Sequence, residues 1–234
     1  MYATFTFSGE LNDFLPNYRK NKTFNLEFAP HQSLKHLIES LGVPHTEIGT
    51  VLVNGQAADA SKRLRKGDQI VIHPAETPVE GDACFILDNH LGQLATYLRM
   101  LGFDCLYRND YQDDELARVA INEGRILLTR DRRLLMRKVI RNGYCIHQTD
   151  PRMQAVKLLR RFKLLGQVKP FQRCLRCNSP LQPVAKQDVI ERLEPLTKKY
   201  YDEFHICPSC KQIYWKGSHF EHMQQMIIEL AAQA

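Results

Sequence analysis

Between Cys84 and Asp150 an apolar strand-like run, an aspartate and a helical pattern recur. Asp88 follows Phe85-Ile86-Leu87, and Asp131 follows Ile126-Leu127-Leu128-Thr129-Arg130. Asp150 follows Tyr144-Cys145-Ile146-His147-Gln148-Thr149, and Asp113-Asp114-Glu115 opens a helix between them. Short continuous apolar runs suit buried parallel strands. The helices between them show stripes: Leu91, Leu94, Ala95, Leu98 and Leu101; then Leu116, Val119 and Ala120; then Leu134, Leu135, Val139 and Ile140. A basic helix is expected over 151–165, closing the series. Alternation of this kind specifies an α/β fold, an open parallel sheet with helices on both faces. Such sheets bind ligands outside the carboxyl ends of their strands. Asp88, Asp131 and Asp150 are expected at that end.

Carboxylates gathered at one spot repel, and stay ionised together only beside a cation. Mg²⁺ or Mn²⁺ prefers hard oxygen ligands, acidifies bound water and stabilises phosphoryl charge. Each acid also has a plainer reading. Asp113 fits a helix N-cap with Asp114 in the first turn, Asp150 fits a cap before Pro151, and Asp104 fits a solvent-facing strand position. Asp88 and Asp131 directly follow buried strands and are the firmest candidates.

Charge sharpens the substrate class. The net charge is +6. Residues 125–176 hold 15 Lys/Arg and only two acids, Asp131 and Asp150, whereas the remaining chain is net acidic. A basic block around candidate catalytic acids points to a polyanion, a nucleic acid in particular. Arg130 and Arg132, beside Asp131, are candidate phosphate contacts. No apolar run approaches the roughly 18 residues of a membrane helix, and the Met1-Tyr2-Ala3-Thr4-Phe5 start lacks a signal-peptide pattern. The expected location is cytoplasmic, with no membrane partner.

Residues 1–76 read as a separate unit. Ala3, Phe5 and Phe7 alternate with polar neighbours, as do Phe24, Leu26 and Phe28, which marks strands with one buried face. A hairpin through 12–21 is expected to join them. Ser33 caps a helix bearing Leu34, Leu37, Ile38 and Leu41, and two further strands surround Asn54-Gly55 and Lys66-Gly67-Asp68. The order β-β-α-β-β, with Val53-Asn54-Gly55 and Gly67-Asp68, resembles the ubiquitin-like sulfur-carrier proteins. Those carriers act through a free C-terminal Gly-Gly, whereas Pro74-Ala75-Glu76 stands here and the chain continues. The β-grasp is therefore expected to recognise or dock a protein partner. Residues 75–82 read as a linker.

Residues 169–234 carry Cys174-Leu175-Arg176-Cys177 and Cys207-Pro208-Ser209-Cys210, separated by 29 residues. Two such pairs make a structural Zn²⁺ site, a zinc ribbon. The other three cysteines, Cys84, Cys105 and Cys145, are expected as buried thiols in a reducing compartment. Tyr214-Trp215 is expected to cover the zinc. Val189, Leu193 and Leu196 share helical spacing, and Lys198-Lys199-Tyr200-Tyr201 offers cations with aromatics for RNA bases. His219 and His222 start a final amphipathic helix.

Further motifs tie these regions together. They are Asp88, the run Leu91-Gly92-Gln93-Leu94-Ala95-x-x-Leu98-Arg99-x-Leu101-Gly102-Phe103-Asp104, Asp113-Asp114-Glu115-Leu116, and Leu127-Leu128-Thr129-Arg130-Asp131-Arg132. They resemble the PIN-like ribonuclease domain first described at the C-terminus of the mut-seven exonuclease. Bacterial members of that family commonly combine ubiquitin-like, PIN-like and zinc-ribbon domains, here 1–76, 82–168 and 169–234. The resemblance implies a PIN fold and divalent-metal ribonuclease chemistry. It implies Asp88, Asp113 and Asp131 as Mg²⁺ or Mn²⁺ ligands, Asp114 as a substitute for Asp113, and Asp150 as an optional fourth acid. Gln93 departs from the basic residue members often carry. The expected activity is endonucleolytic cleavage of single-stranded RNA. The alternatives are an RNA- or ribosome-associated adaptor with little turnover, and a regulatory or toxin-like partner acting through the β-grasp unit.

Overall fold

The computed structural model describes all residues, 1–234. In chain order its strands and helices are β1 (Tyr2–Phe7), β2 (Phe24–Glu27), α1 (Leu34–Ser40), β3 (Ile48–Val53), β4 (Gln56–Ala57) and β5 (Gln69–Pro74). Then come β6 (Cys84–Leu87), α2 (Gly92–Met100), β7 (Asp104–Tyr107), α3 (Asp113–Asn122), β8 (Ile126–Thr129), α4 (Arg132–Leu135), β9 (Gly143–Cys145) and α5 (Pro151–Phe162). The C-terminal elements are β10 (Gln182–Val184), α6 (Lys186–Val189), α7 (Pro195–Tyr200), β11 (Phe204–Ile206), β12 (Ile213–Trp215) and α8 (Ser218–Gln233). The result is a mixed α/β protein with parallel strands, an N-terminal β-grasp and a C-terminal cysteine cluster. Its contacts form two compact units: Met1–Thr77 with Tyr111–His147, and Pro78–Asp110 with Gln148–Ala234.

In the first unit the β-grasp sheet runs β2-β1-β5-β3-β4. β1 pairs antiparallel with β2 and parallel with β5. Alternation in β1 puts Ala3, Phe5 and Phe7 into the core, and α1 adds Leu34, Leu37 and Ile38. The Ser33 side chain caps α1 by accepting from the His36 N–H. β1 and β2 form the expected antiparallel hairpin, joined by a long connection and not by a tight turn. A 3-10 helix, Gly9–Phe14, opens that connection and buries Leu11 and Phe14. Asn12 organises the connection: its amide donates to the Phe7 and Gly9 carbonyls and its Oδ1 accepts from the Asn21 N–H. One side chain thus supplies the hydrogen bonds a hairpin turn would have made.

The other half of this unit holds the parallel pair β8–β9, flanked by α3 and α4. The stripe through Val139 and Ile140 does not extend α4, which stops at Leu135. Val139 is 56% exposed. The Ile140 carbonyl meets His45 Nε2 at 2.8 Å, while His45 Nδ1 faces Glu39 at 2.9 Å. Between Leu135 and Ile140 the chain runs in turns, the Arg137 N–H donating to the Leu134 carbonyl and the Ile140 N–H to the Arg137 carbonyl. β9 begins one residue earlier than expected and ends at Cys145 rather than His147. Its Cys145 N–H donates to Glu47 Oε1 at 2.6 Å, and Glu47 is fully buried. The β-grasp segment and residues 111–147 share hydrogen bonds and a core.

In the second unit β6 and β7 are parallel, Cys84 aligned with Asp104 and Leu87 with Tyr107. α2 packs on α5, and α5 on α8. Leu94 and Leu98 are fully buried; each such side chain contributes about 1.5–3 kcal/mol. α5 ends at Phe162, three residues short of the expected stop, because Lys163 turns left-handed at φ 53°. Gly102 closes α2 at φ +97°, where a β-carbon would stand 2.0 Å from the Lys169 carbonyl. A side chain there would displace the strand entering the ribbon.

The ribbon is the antiparallel sheet β10-β11-β12. Phe204 and Ile213 pack with Val189 and Leu193. Leu196 does not join them and is 69% exposed, because the chain breaks between α6 and α7 and the helical spacing is not kept. Cys105 and Cys145 are buried as expected, but Cys84 is half-buried at the first position of β6.

Candidate functional site

Asp88 stands directly after β6 and is buried. Its Oδ1 accepts the His90 N–H at 2.9 Å. Asp131 stands two residues after β8, N-caps α4, and its Oδ1 accepts the Arg133 N–H at 2.7 Å. Asp150 N-caps α5 and accepts the Arg152 N–H at 2.8 Å, with Pro151 in the first turn. The same local device occurs three times: an aspartate fixed by the amide two residues on. For Asp150 this is the capping role already suggested by Pro151.

Gln112, not Asp113, occupies the N-cap of α3, so Asp113, Asp114 and Glu115 fill its first turn. The dipole there favours carboxylates. The Arg137 guanidinium lies 3.6 Å from Asp113 and 2.5 Å from Asp114. Arg137 reaches these adjacent acids from 23 residues beyond Asp114, a pairing no sequence spacing announces. Within the first unit, then, Asp113, Asp114 and Arg137 form one group, and Asp131 sits at the start of α4. Asp88 and Asp150 belong to the second unit. Arg130 is exposed. The Arg132 guanidinium packs beside Gly42, with Nη1 3.0 Å from where a β-carbon there would stand.

The sulfurs of Cys174, Cys177, Cys207 and Cys210 all lie within 4.8 Å of one another. Burial opposes ionisation of Cys177, yet hydrogen bonds from the Ser179 N–H and hydroxyl hold its thiol down to about 6. Burial pushes the Cys210 thiol up to about 12, and the neighbouring cysteines add to that rise. Four sulfurs this close cannot all become thiolates without a cation among them. Soft donors in a closed group of four are what zinc takes, so the residues fit it.

Tyr214 covers the cluster, its hydroxyl 3.2 Å from the Cys174 sulfur and accepting the Leu175 N–H at 3.1 Å. The Trp215 ring lies 6.5 Å from that of Phe204. His205, His219 and His222 are exposed and lie outside the cluster.

The ribbon is fastened to β7 by residues that sequence reading passed over. Buried Arg99 donates from Nε and Nη2 to the Cys105 carbonyl, and from Nη1 to the Leu175 and Arg176 carbonyls at 3.1 and 3.0 Å. The Asn178 side chain accepts the Cys105 N–H and donates to Asp104. Asp104 also pairs with Arg173 at 3.3 Å, so it is not a solvent-facing residue. One signal pointed to Arg99: it continues the Leu91, Ala95 row of α2, and a cation on an apolar stripe needs partners.

Aspartates that follow strands and a four-thiol cluster suited to zinc mark this mixed α/β protein. The family model described as Mut7-C RNAse domain matches residues 83–227, and the one described as Mut7-C ubiquitin matches residues 1–80. The chain belongs to the Mut7-C RNase family, which supports ribonuclease activity. Among solved structures, SAMP1 from Haloferax volcanii matches with 17% identity over 35% of this chain and 99% of that one, at a TM-score of 0.26. Curated proteins give no match. No helix is long and apolar enough to cross a membrane.

Proposed function

We propose that this chain is a divalent-metal-dependent endoribonuclease acting on single-stranded RNA. Three sequence domains carry it: a β-grasp over 1–76, a PIN-like nuclease over 82–168 and a zinc ribbon over 169–234. The observation that carries the reading is Asp88 and Asp131 just past the ends of two parallel strands, within a segment that matches a ribonuclease family. Asp88, Asp113 and Asp131 would hold Mg²⁺ or Mn²⁺, with Asp114 able to replace Asp113 and Asp150 as an optional fourth acid. When bound, such a cation supplies phosphoryl charge neutralisation and a more acidic water.

The chain's own residues do the rest. The amides of His90 and Arg133 fix the orientation of Asp88 and Asp131. Arg137 pairs with the α3 carboxylates and would have to release them for a metal to be held there. Arg130, exposed beside Asp131, suits a phosphate oxygen; Arg132 is the second candidate for that contact. The zinc ribbon and the basic segment help hold the RNA. A cytoplasmic, reducing setting suits four thiolate ligands.

The Arg137 pairing also favours one second reading, an RNA- or ribosome-associated adaptor in which the guanidinium stays on the acids and turnover is slight. End-labelled single-stranded RNA incubated with the protein and graded Mn²⁺ or Mg²⁺ separates the two. Metal-dependent internal cuts support the nuclease. Tight binding without cutting in either metal supports the adaptor.

A further inference from the structure

A cavity of about 240 Å³ opens in the ribbon itself, between the first cysteine knuckle, β12 and the start of α8. Its lining includes Phe171, Tyr214, Trp215 and Phe220, with the charged residues Arg173, Glu203 and Lys216. Phe171 and Phe220 face each other with ring centroids 4.4 Å apart, and both rings are only half-buried. Neither cation is a loose charge: Arg173 is held by Asp104 and the Asn178 carbonyl, and Lys216 by Glu203 at 2.8 Å.

We propose that this cavity is a subsite for one unpaired RNA base. Its size is below the roughly 300–1,000 Å³ of pockets for drug-sized ligands, too small for a peptide helix and suited to a single flat ring system. Aromatic walls bind every base through its π-face, at about 1–3 kcal/mol per stacked base. Arg173 and Lys216 stand beside the walls, and the phosphate that accompanies a base would share them with Asp104 and Glu203. The subsite rests on the ribonuclease reading, and it adds a positional role. Arg99 ties the knuckle to α2 and β7, the neighbours of the strand that ends at Asp88. A base held here is therefore anchored to the frame that carries that acid, and the subsite selects single-stranded substrate because a paired base cannot enter.

The test uses full-length, zinc-loaded protein without added Mg²⁺ or Mn²⁺, so that binding is read apart from cutting. Affinity is measured for a short labelled single-stranded RNA and for the same backbone made abasic. Phe171→Leu and Phe220→Leu keep apolar volume but remove the π-face. The preference for bases is expected to fall about fivefold or more in at least one variant, with affinity for the abasic strand unchanged. Equal losses on both strands, or no loss, would overturn the subsite. Should both variants misfold, the wild type still answers. The chain has one tryptophan, so its indole N–H gives one resonance. That resonance should shift with a nucleoside monophosphate and not with ribose phosphate; the same response to both overturns the proposal. Cutting of the same RNA with Mn²⁺ is scored separately. A base preference without cutting defeats the nuclease reading alone, and cutting without the preference defeats the subsite alone.

Discussion

The carboxylate of Glu47, in the β-grasp segment, accepts the backbone N–H of Cys145 in β9 at 2.6 Å. A backbone donor in a short strand needs a partner, and a side chain from 98 residues earlier provides it. Tyr144, the neighbouring strand residue, reaches Glu10 at 3.2 Å, and the Phe14 and His147 rings meet edge to face at 4.6 Å. The β-grasp is thus a structural partner of the segment that follows Asp131.

Replacing Glu47 tests that partnership. Glu47→Ala leaves the Cys145 N–H buried and unpaired, which should lower stability by about 1–3 kcal/mol. Glu47→Gln keeps an acceptor oxygen and should lose less. Urea unfolding followed by circular dichroism reads both. Equal stability of the alanine variant and wild type would show that the bond is not needed.

Asp68 predicts an acid-sensitive β-grasp. Burial works against its charge, but the Arg65 N–H and the Asn54 amide donate to it, with Lys62 and Arg65 nearby, and its pKa lies below the ordinary value. A carboxylate depressed on folding stabilises above its unfolded pKa, near 3.9, and that contribution disappears as pH falls through the folded value. Asp68→Asn should therefore flatten the loss of stability below about pH 4. Thermal midpoints of both proteins from neutral to acidic pH check this; parallel curves would contradict it.

Arg99 and the cysteines predict coupling between zinc and fold. Metal analysis should give about one zinc per chain, lost in Cys174→Ser/Cys207→Ser. Arg99→Met removes donors from the Leu175 and Arg176 carbonyls, so zinc should be lost to a competing chelator more readily, by about tenfold. Zinc retention identical to wild type would mean that Arg99 only supports β7.

Some of this was legible in the chain and some was not. Period-two alternation in β1 and continuous apolar runs in β6 and β8 express burial directly, so those strands could be read. The two cysteine pairs were legible because zinc fixes both residue type and spacing. The break after Leu135 was not: turns replace the helix there, and Ile140 is then held by His45, a contact made only after folding. At the 3-10 helix Gly9–Phe14, Asn12 joins three nearby backbone groups, a use of one side chain that hydrophobic periodicity does not show. At the candidate site, Asp88 and Asp131 were marked by the strands before them. Arg137, Arg99 and Asn178 act through tertiary pairing, which local pattern does not encode.

The central claim is that aspartates at these strand ends perform metal-dependent RNA cleavage. The most direct measurement compares wild type, Asp88→Asn and Asp131→Asn on the same labelled single-stranded RNA, recording cleavage with Mn²⁺ and binding without it. The account predicts that each substitution lowers cleavage by about 100-fold or more, as loss of a few kcal/mol of transition-state stabilisation does, while RNA affinity stays within about threefold, under 1 kcal/mol. Cleavage that persists at the wild-type rate in both variants would contradict it.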